Sequence, residues 1–380
     1  MNNQQENLLN ELYDKLVVKM ESQVQRMGGI FPYSAVGGKY TDRGAENIFW
    51  WTNSFWSGIL WQMYKATGND IFKKQAENNE LRLDESFDKF YGLHHDVGFT
   101  WLHTAAINYR LTNNERSLNR AMHAATLLAG RFNPVGHFIR AWNKPFNGGD
   151  TTGYLIIDSM MNLPLLYWAS KQTQDPRFEF IAAAHANTVK TKMLRENGSL
   201  AHIGNFDAYT GELIETPAGQ GYAAGSEWSR GQAWGLYGFA LSYRHTKNLE
   251  YLDIAQKVAA NFISNIEKTD YIALVDFKSP SSPVLYDTSA TLCAACGLLE
   301  LAQYVDADKK QYYTDMAFKI IASTAAKYAD WNPQQDGLIG GGAVAYHDKS
   351  GHNINLIYGD YFFVEALLRL LKRDTFMWGD

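Results

Sequence analysis

Apolar residues recur with helical spacing through most of the chain, and short polar stretches interrupt them at intervals. One such spelling recurs at 64–72, 109–118, 170–178 and 243–251, with a looser copy at 304–312. Every copy contains Thr, Asn or Asp, the residues that cap helices, and separates two apolar-periodic segments. The pattern therefore predicts tight helix–helix turns, and with them five helical hairpins.

The five hairpins imply ten helices, and one further helix is predicted at each end of the chain. The predicted helices span 5–27, 49–67, 70–88, 96–111, 114–130, 154–171, 176–193, 228–245, 249–266, 287–304, 308–328 and 356–373. Because the first and last can pair and close a ring, we expect an all-α (α/α)6 barrel, a toroid of six hairpins, formed as a single catalytic domain by residues 1–380. Alternation with a period of two is confined to short pieces such as 271–277.

The connections between helices differ in length. Turns within hairpins are short, whereas the linkers between hairpins at 131–153, 194–227, 267–286 and 329–355 are long and rich in Gly, Asn, Asp and Pro. In a hairpin toroid all of these long linkers emerge at the same end. Long loops on a rigid scaffold commonly carry sites, so we expect the functional site at this end.

Composition and charge exclude several classes of partner. The 380 residues are 46% hydrophobic, which is ample for a large core, and the formal net charge is -5 without any basic run, so no nucleic-acid partner is expected. No apolar run is long enough to span a bilayer and no secretory signal is visible, so we expect no membrane partner and a cytoplasmic location. Cys293 and Cys296 are interpreted as core packing on a helix, because an isolated CxxC is weak evidence for metal or redox chemistry.

Two carboxylates are candidates for acid/base chemistry. Asp158 lies in Tyr154-Leu-Ile-Ile-Asp158-Ser-Met-Met-Asn162, interpreted as a buried helix, where a carboxylate must be paired or protonated. It is either a general acid or a structural residue bonded to a neighbouring loop. Asp96, at another helix start, faces the same cavity unless it is a simple N-cap. Paired carboxylates with pKa values pushed apart are typical of sugar chemistry.

Aromatic residues make up 14% of the chain, and several stand beside polar residues, as in 49–56 and 227–234. Aromatic faces next to hydrogen-bonding groups suit sugar rings, whose C–H faces stack while their hydroxyls bond sideways. A tryptophan-rich helical core is the alternative interpretation.

Three segments resemble a known family. His95-Asp96-Val-Gly-Phe, the stretch 148–169 that begins Gly-Gly-Asp-Thr-Thr-Gly-Tyr, and Glu227-Trp-Ser-Arg-Gly-Gln-Ala-Trp234 are similar to the unsaturated glucuronyl hydrolases, glycoside hydrolase family 88. The likeness runs from about Trp51 to Phe363 and implies an (α/α)6 barrel. It also implies substrates left by glycosaminoglycan lyases, which carry a 4,5-unsaturated uronic acid at the non-reducing end.

The resemblance implies an unusual reaction for a glycosidase. The C4=C5 double bond is protonated at C4, water adds at C5, and the resulting hemiketal opens to release the aglycone and a 4-deoxy-5-keto-uronate. Asp158 would be the acid that protonates C4 and the base that activates the water. Asp96 would hold sugar hydroxyls and stabilise the cationic transition state.

The resemblance also implies a set of substrate contacts. These are Trp142, Trp228 and Trp234 lining the sugar pocket, His202 and Gln220 at the uronate or the catalytic water, Arg230 near the subsite of the next sugar, Trp51, Asn53 and His95 at the rim, and Tyr346. Each has a structural alternative: packing for a tryptophan, a satisfied loop histidine for His202, and an ion pair for Arg230. No HExxH motif and no clustered Cys/His ligand set is present, so neither a metal nor a cofactor is expected.

Three other functions stay open at this point. An unsaturated rhamnogalacturonyl hydrolase (family 105) would share the fold and chemistry but act on pectin fragments. A non-catalytic carbohydrate-binding (α/α)6 protein would keep the aromatic residues but would not need an acid in the pocket. A sugar epimerase would depend on paired histidines, which the adjacent His94 and His95 do not supply on this evidence. The oligomeric state is not readable from the sequence.

Overall fold

The computed structural model describes residues 2–143 and 149–379. Within these residues the long helices are Asn3–Met27 (α1), Phe55–Thr67 (α2), Asp70–Arg82 (α3), 97–112 (α4), Glu115–Ala129 (α5), Leu163–Thr173 (α6), Arg177–Lys192 (α7), Ser229–Thr246 (α8), Leu249–Ile266 (α9), Thr288–Leu301 (α10), Ala307–Tyr328 (α11) and Ile357–Leu370 (α12). Helix α4 joins Val97–Trp101, a π-helical turn at Leu102–Ala106, and Ile107–Thr112. Short helices and 3-10 turns lie at Arg43–Glu46, Asp84–Asp88, Phe90–Gly92, Ile157–Met161, Glu267–Thr269 and Lys349–Gly351.

The helices form two concentric rings. Each even-numbered helix contacts the next, and α12 contacts α2, so the inner ring is closed. The inner helices are apolar nearly all round, and every residue of α10 is buried. The outer helices are amphipathic and bury one face, and α1 packs against α12 as expected for the first and last helices. The predicted (α/α)6 barrel is confirmed.

The predicted turns follow a common chemistry. The outer helices α3, α5, α9 and α11 are capped by side-chain oxygens of Asn69, Asn114, Asn248 and Asp306. Several inner helices end on a left-handed residue just before this cap, as at Gly68 with φ of 73°. Such a residue reverses the chain within very few positions, which keeps these turns short. The long linkers are consequently all at the other end of the barrel.

The β structure consists of short strands in the linkers. The strands are Ala35–Val36 (β1), Lys39–Tyr40 (β2), Phe132–Asn133 (β3), Phe138–Ile139 (β4), Tyr154–Ile156 (β5), Ile203–Phe206 (β6), Leu213–Glu215 (β7), Gly342–Ala343 (β8) and His352–Ile354 (β9). They form antiparallel pairs β1–β2, β3–β4 and β8–β9 and a three-stranded sheet in the order β5-β6-β7. The segment 271–277 takes part only in isolated bridges, at Leu274 and Asp276.

The helix predicted at 154–171 is wrong in its first half. Tyr154–Ile156 is a strand that pairs with β6, Ile157–Met161 is a 3-10 turn, and α6 begins only at Leu163. Two β-branched residues in a row favour the extended conformation here, and Pro164 is tolerated only in the first turn of a helix. Asp158 therefore lies on a short, tight turn.

Other bounds also differ from the prediction. The helix predicted at 49–67 begins at Phe55, and the one at 70–88 breaks at Leu83. Cys293 and Cys296 are buried and unpaired on α10, as core packing requires. None of the helices in residues 2–143 and 149–379 is long and apolar enough to cross a membrane. Gly148, the first residue of the longest motif, and the ends of the predicted 1–380 domain lie outside the described residues.

Candidate active site

The starts of the inner helices carry the polar residues singled out in the sequence. Asp96 immediately precedes α4, Asp158 lies just before α6, and Arg230 is in the first turn of α8. Hydrogen bonds and ion pairs cross between these starts, from Asn162 to Asp96 and from Arg230 to Asp287 at the start of α10. Polar side chains thus join the starts of α4 and α6, and those of α8 and α10, at the mouth of the barrel.

The Asp96 carboxylate is held by three neighbours. Asn162 Nδ2 donates to Asp96 Oδ1 at 3.0 Å, and His94 Nδ1 and His95 Nε2 lie 3.2 and 3.3 Å from Oδ2. Asp96 occupies the N-cap position of α4 but makes no side-chain cap hydrogen bond, so the simple capping interpretation is wrong. Burial acts to raise the pKa of Asp96, but His95 and His94 outweigh it and hold that pKa well below its usual range. This carboxylate is ionised at neutral pH.

Asn162 connects the two carboxylate-bearing segments. Its Oδ1 accepts from the Phe99 N–H at 2.8 Å, and its Nδ2 also lies 3.3 Å from the Asp158 carbonyl oxygen. This approach requires a glycine at position 98, because a Cβ there would lie 2.5 Å from the Asn162 Cα. One amide therefore fixes the start of α4 against the turn that carries Asp158.

The Asp158 carboxyl group is desolvated and lacks a strong partner. Its Oδ1 is buried and has no hydrogen-bond partner within the described residues, and its side chain is 21% exposed. Burial and then the charge of Asp96 raise the pKa of Asp158 to about 7. A carboxyl group in this state can both give and take a proton near neutral pH.

Two buried side chains fix the turn under Asp158. Ser159 Oγ donates to the Ile156 carbonyl at 2.6 Å and lies 2.6 Å from His185 Nε2. His185 Nδ1 accepts from the Ile139 N–H at 2.9 Å, so its proton is on Nε2 and is donated to Ser159. Burial lowers the pKa of His185 to about 3, which keeps the ring neutral. The turn is thus anchored to α7 and β4.

His202 is oriented toward Asp158. The Gln220 N–H donates to His202 Nδ1 at 3.0 Å, and burial lowers the pKa of His202 to about 3. The neutral ring therefore carries its proton on Nε2, which lies 4.0 Å from Asp158 Oδ1. The gap is longer than a hydrogen bond, so the pair can admit a substrate atom between its members or tighten around one.

Arg230 is a buried structural cation. Its guanidinium pairs with Asp287 and donates to the carbonyls of Ala343 and Val344, both at 2.7 Å. It also lies 4.6 Å from the centroid of the Trp228 ring, and only 2% of the residue is exposed. These contacts match the ion pair that the sequence left as the alternative, and its place near a second sugar subsite stays a prediction.

Two predicted contacts are displaced from the pocket surface. Trp234 is fully buried, with Phe99 and Phe362 each at 5.5 Å between ring centroids, because its position on α8 points to the barrel core. Asn53 is 1% exposed, and its Nδ2 donates to the carbonyls of Asn47 and Ile48. Trp234 is therefore a core residue, and Asn53 stabilises the loop in which it lies.

The other predicted contacts lie near the mouth. Trp142 and Trp51 are half-buried, against Tyr154 and Tyr358 respectively. Trp228 packs on His202 with ring centroids 4.1 Å apart. His95 is buried behind Asp96 and is not at the rim.

Gln220 and Tyr346 tie two linkers together. The Gln220 side chain donates to the Val344 carbonyl at 2.7 Å, and the main-chain carbonyl of Gln220 accepts from the Tyr346 N–H at 2.9 Å. The Tyr346 ring contacts Tyr222 edge-on, with ring centroids 5.0 Å apart. These bonds hold the linker around Gln220 against the linker around Tyr346.

One group of metal-binding residue types does come together. The donor atoms of His94, His95 and Asp96 lie within 4.8 Å of one another. Within the described residues these atoms already bond to each other and, for His94 Nε2, to the Phe49 carbonyl at 3.0 Å. The arrangement is that of histidines holding a carboxylate, and the prediction of a metal-free site remains to be tested.

Sequence reasoning left Asn162, His94, His185 and Asp287 out of the site. Asn162 was visible as an amide four positions after Asp158, and His94 as the neighbour of His95. The contacts of His185 and Asp287 join residues distant in sequence and left no local signal.

Sequence comparison with known proteins shows the family to which this chain belongs. The unsaturated glucuronyl hydrolase of Bacillus sp. (strain GL1) is 35% identical over 363 residues, which cover 93% of this chain and 94% of that protein. The chain belongs to the unsaturated glucuronyl hydrolase family. The unsaturated chondroitin disaccharide hydrolase of Streptococcus pyogenes serotype M1 is 33% identical over 329 residues, 85% of this chain and 81% of that one.

The fold comparison agrees with this family. The crystal structure of the unsaturated glucuronyl hydrolase of Bacillus sp. GL1, described as responsible for the degradation of glycosaminoglycan, matches with a TM-score of 0.89 and 34% identity. The match covers 97% of this chain and 98% of that one. No protein-family model matches the sequence. As a member of the unsaturated glucuronyl hydrolases, the chain is a glycoside hydrolase.

Proposed function

We propose that residues 1–380 form one catalytic domain that hydrolyses oligosaccharides ending in a 4,5-unsaturated uronic acid, by hydration of the C4=C5 bond. The observation that carries the proposal is the pair of carboxyl groups with pKa values pushed apart, Asp158 raised to about 7 and Asp96 held well below its usual range. Such a pair supplies one proton donor and one permanent anion at neutral pH.

Asp158 acts first as the acid. Its proton goes to C4, the π electrons of the double bond form the new C4–H bond, and positive charge develops on C5 and the ring oxygen. The ionised Asp158 then takes a proton from the water that attacks C5, which restores the acid. Because its pKa is near 7, a large fraction of Asp158 is protonated at neutral pH, and the carboxylate left after the first transfer is a stronger base than an ordinary aspartate.

Asp96 stabilises the cation. It stays ionised through the cycle, so it interacts favourably with charge that exists only in the transition state. His94, His95 and Asn162 keep it from collecting a proton or changing rotamer. His202 presents its Nε2–H toward Asp158, where it can hydrogen-bond the sugar carboxylate or the water.

The released fragment follows from the hydration product. The hemiketal at C5 opens to a ketone, the aglycone leaves from C1, and a 4-deoxy-5-keto-uronate remains. The relatives named for chondroitin disaccharides and for glycosaminoglycan degradation support glycosaminoglycan lyase products as the substrates. Trp142, Trp51 and Tyr346 would supply aromatic contacts to these sugars, whereas Trp228, which is 2% exposed, packs behind His202. The cytoplasmic location expected from the sequence stays a prediction.

The test follows the ultraviolet absorbance of the conjugated C4=C5–carboxylate. Unsaturated disaccharides from hyaluronan, chondroitin sulfate, heparin and pectin are offered side by side. Loss of absorbance with the glycosaminoglycan products is expected and ranks the aglycones. Loss with the pectin product alone would move the chain to the rhamnogalacturonyl class, and no loss with any of them would contradict catalysis and favour a binding protein.

A further inference from the structure

A second cleft lies at the same end of the barrel, beside the catalytic cluster formed by Asp96, Asp158, Asn162 and His202. It has a volume of about 290 Å³ and is bounded by the 3-10 turn Phe90–Gly92 and the last turn of α5. Its lining includes Phe90, Tyr91, His94, Thr126, Leu127 and Arg131. Asp158, His202 and Trp228 take no part in it. The volume is at the lower end of small-molecule sites, roughly 300–1,000 Å³, and suits one or two sugar rings.

Two aromatic rings stand exposed at the edge of this cleft. Phe90 is 56% exposed and Tyr91 is 77% exposed, on consecutive positions of one tight turn. The turn is held rigidly, because Asn143 Nδ2 donates to the carbonyls of Tyr91 and Leu93 at 2.6 and 2.7 Å. Exposed aromatic faces beside a polar cavity are surfaces on which the C–H face of a sugar stacks.

The wall of the cleft carries the guanidinium of Arg131, which makes no direct ion pair within the described residues. Arg131 donates to the carbonyls of Arg140, Leu93 and Ala141 and to Asn143 Oδ1. These acceptors are neutral, and no carboxylate within residues 2–143 and 149–379 forms an ion pair with Arg131. Burial and then the charge of Arg140 lower the pKa of Arg131 to about 10, and the charge of Asp96, beyond ion-pair distance, acts in the opposite direction. A half-buried guanidinium that forms no direct ion pair within the described residues can still donate to an anionic group.

We propose that this cleft is a second saccharide site, which takes a uronate ring on Phe90 and Tyr91 with its carboxylate toward Arg131. The site adjoins the catalytic cluster through His94, which lines the cleft and contacts Asp96. It would hold an acidic saccharide beside the mouth of the barrel. This inference does not rest on the reaction proposed for the main pocket, because it concerns binding alone.

Thr126 provides a matched pair of variants. It is an exposed residue of α5 that lines the cleft, and it is not in contact with the catalytic cluster. Thr126→Asp and Thr126→Asn have nearly the same size, and only the first adds a negative charge. Tyr91→Ala removes an aromatic face, and Tyr209→Ala, at a residue that is 91% exposed elsewhere, is its control.

The experiment is calorimetric titration of the full chain with D-glucuronate, with D-glucose as the neutral probe. Wild type, Thr126→Asn and Tyr209→Ala are expected to bind two glucuronates, whereas Thr126→Asp and Tyr91→Ala lose one binding event or weaken it at least tenfold. Equal binding by Thr126→Asp and Thr126→Asn, a wild-type titration with no event that Tyr91→Ala removes or weakens, or equal binding of glucose would overturn the proposal. Absorbance turnover, assayed separately in wild type and Tyr209→Ala, is expected to be the same, so failure of the reaction and failure of this site are distinguishable.

Discussion

The Asn162 side-chain amide lies 3.0 Å from Asp96 Oδ1 and 3.3 Å from the Asp158 carbonyl oxygen. The Asn162 amide therefore fixes the relative position of two carboxylate-bearing segments that are far apart in the sequence. The same amide accepts the Phe99 N–H, so it also fixes the first turn of α4. The relative placement of the acid and the anion depends on this residue.

Replacing Asn162 with Ala is expected to lower kcat/KM by about 100-fold, since misplacement of a catalytic group by about 1 Å costs this much. The matched control is Asn79→Ala, which removes a buried amide bonded to Ser57 on the outer side of α2. The control variant should melt at a lower temperature than wild type but turn over substrate at the wild-type rate. Equal kinetic losses in both variants would mean that Asn162 acts only through general stability.

The Asp96→Asn variant is expected to slow turnover by roughly 100- to 1,000-fold, the usual cost of removing one electrostatic contact to a transition-state charge. The variant should still fold, because no cap hydrogen bond is lost and Asn keeps an oxygen for Asn162, but its melting temperature should fall by a few degrees since the contacts of His94 and His95 with a carboxylate are lost. The charge of Asp96 also helps to raise the pKa of Asp158, so the high-pH limb of the residual rate should move to lower pH. If the variant mainly unfolds, Asp96 is a structural residue.

The pH dependence follows from the protonated form of Asp158. With a pKa of about 7, kcat/KM should fall by about tenfold per pH unit above that value. The contribution of Asp158 to stability also falls as pH rises. The folded state keeps the Asp158 proton up to a pH of about 7, whereas an unfolded aspartate releases it near 3.8. The group therefore reduces the free energy of unfolding as pH rises through this window.

Thermal melts of wild type and Asp158→Asn measure that effect directly. The asparagine variant should melt a few degrees higher than wild type at pH 8, and the difference should vanish near pH 3.5. A difference that does not change with pH would show that Asp158 has an ordinary pKa.

Metal removal tests the interpretation of the His94, His95 and Asp96 group. Because these side chains bond to one another as carboxylate and holders, prolonged dialysis against a chelator is expected to leave kcat unchanged. Added Zn²⁺ should inhibit, since it would compete for Asp96. Loss of turnover on chelation, restored by a metal ion, would assign these residues as ligands.

The barrel could be predicted from the sequence because the signals that define its helices and turns are local. The turns at Asn69, Asn114 and Asn248 each combine a cap with a change of apolar period, and both signals lie within a few residues. The start of α6 was misplaced because Ile156 and Ile157 are apolar in either conformation. Only its pairing with Ile203, far along the chain, makes Ile156 extended, and Ile157 begins the 3-10 turn.

The site was predictable only in part, for the same reason. Asp96 and Asp158 stand in distinctive segments, and the family resemblance identified both. Burial of Trp234 and the ion pair of Arg230 with Asp287 are set by packing between helices. Residue type alone does not distinguish a tryptophan that lines a pocket from one that fills a core.

The most direct test of the account is turnover by Asp158→Asn, followed as loss of ultraviolet absorbance from an unsaturated glycosaminoglycan disaccharide. Asparagine keeps the size of the side chain but cannot give a proton to C4 or take one from water. The account predicts a loss of at least about 10⁴-fold in kcat, at the upper end of what a general acid contributes, with disaccharide binding and folding retained. Turnover within a few-fold of wild type would contradict Asp158 as the catalytic acid.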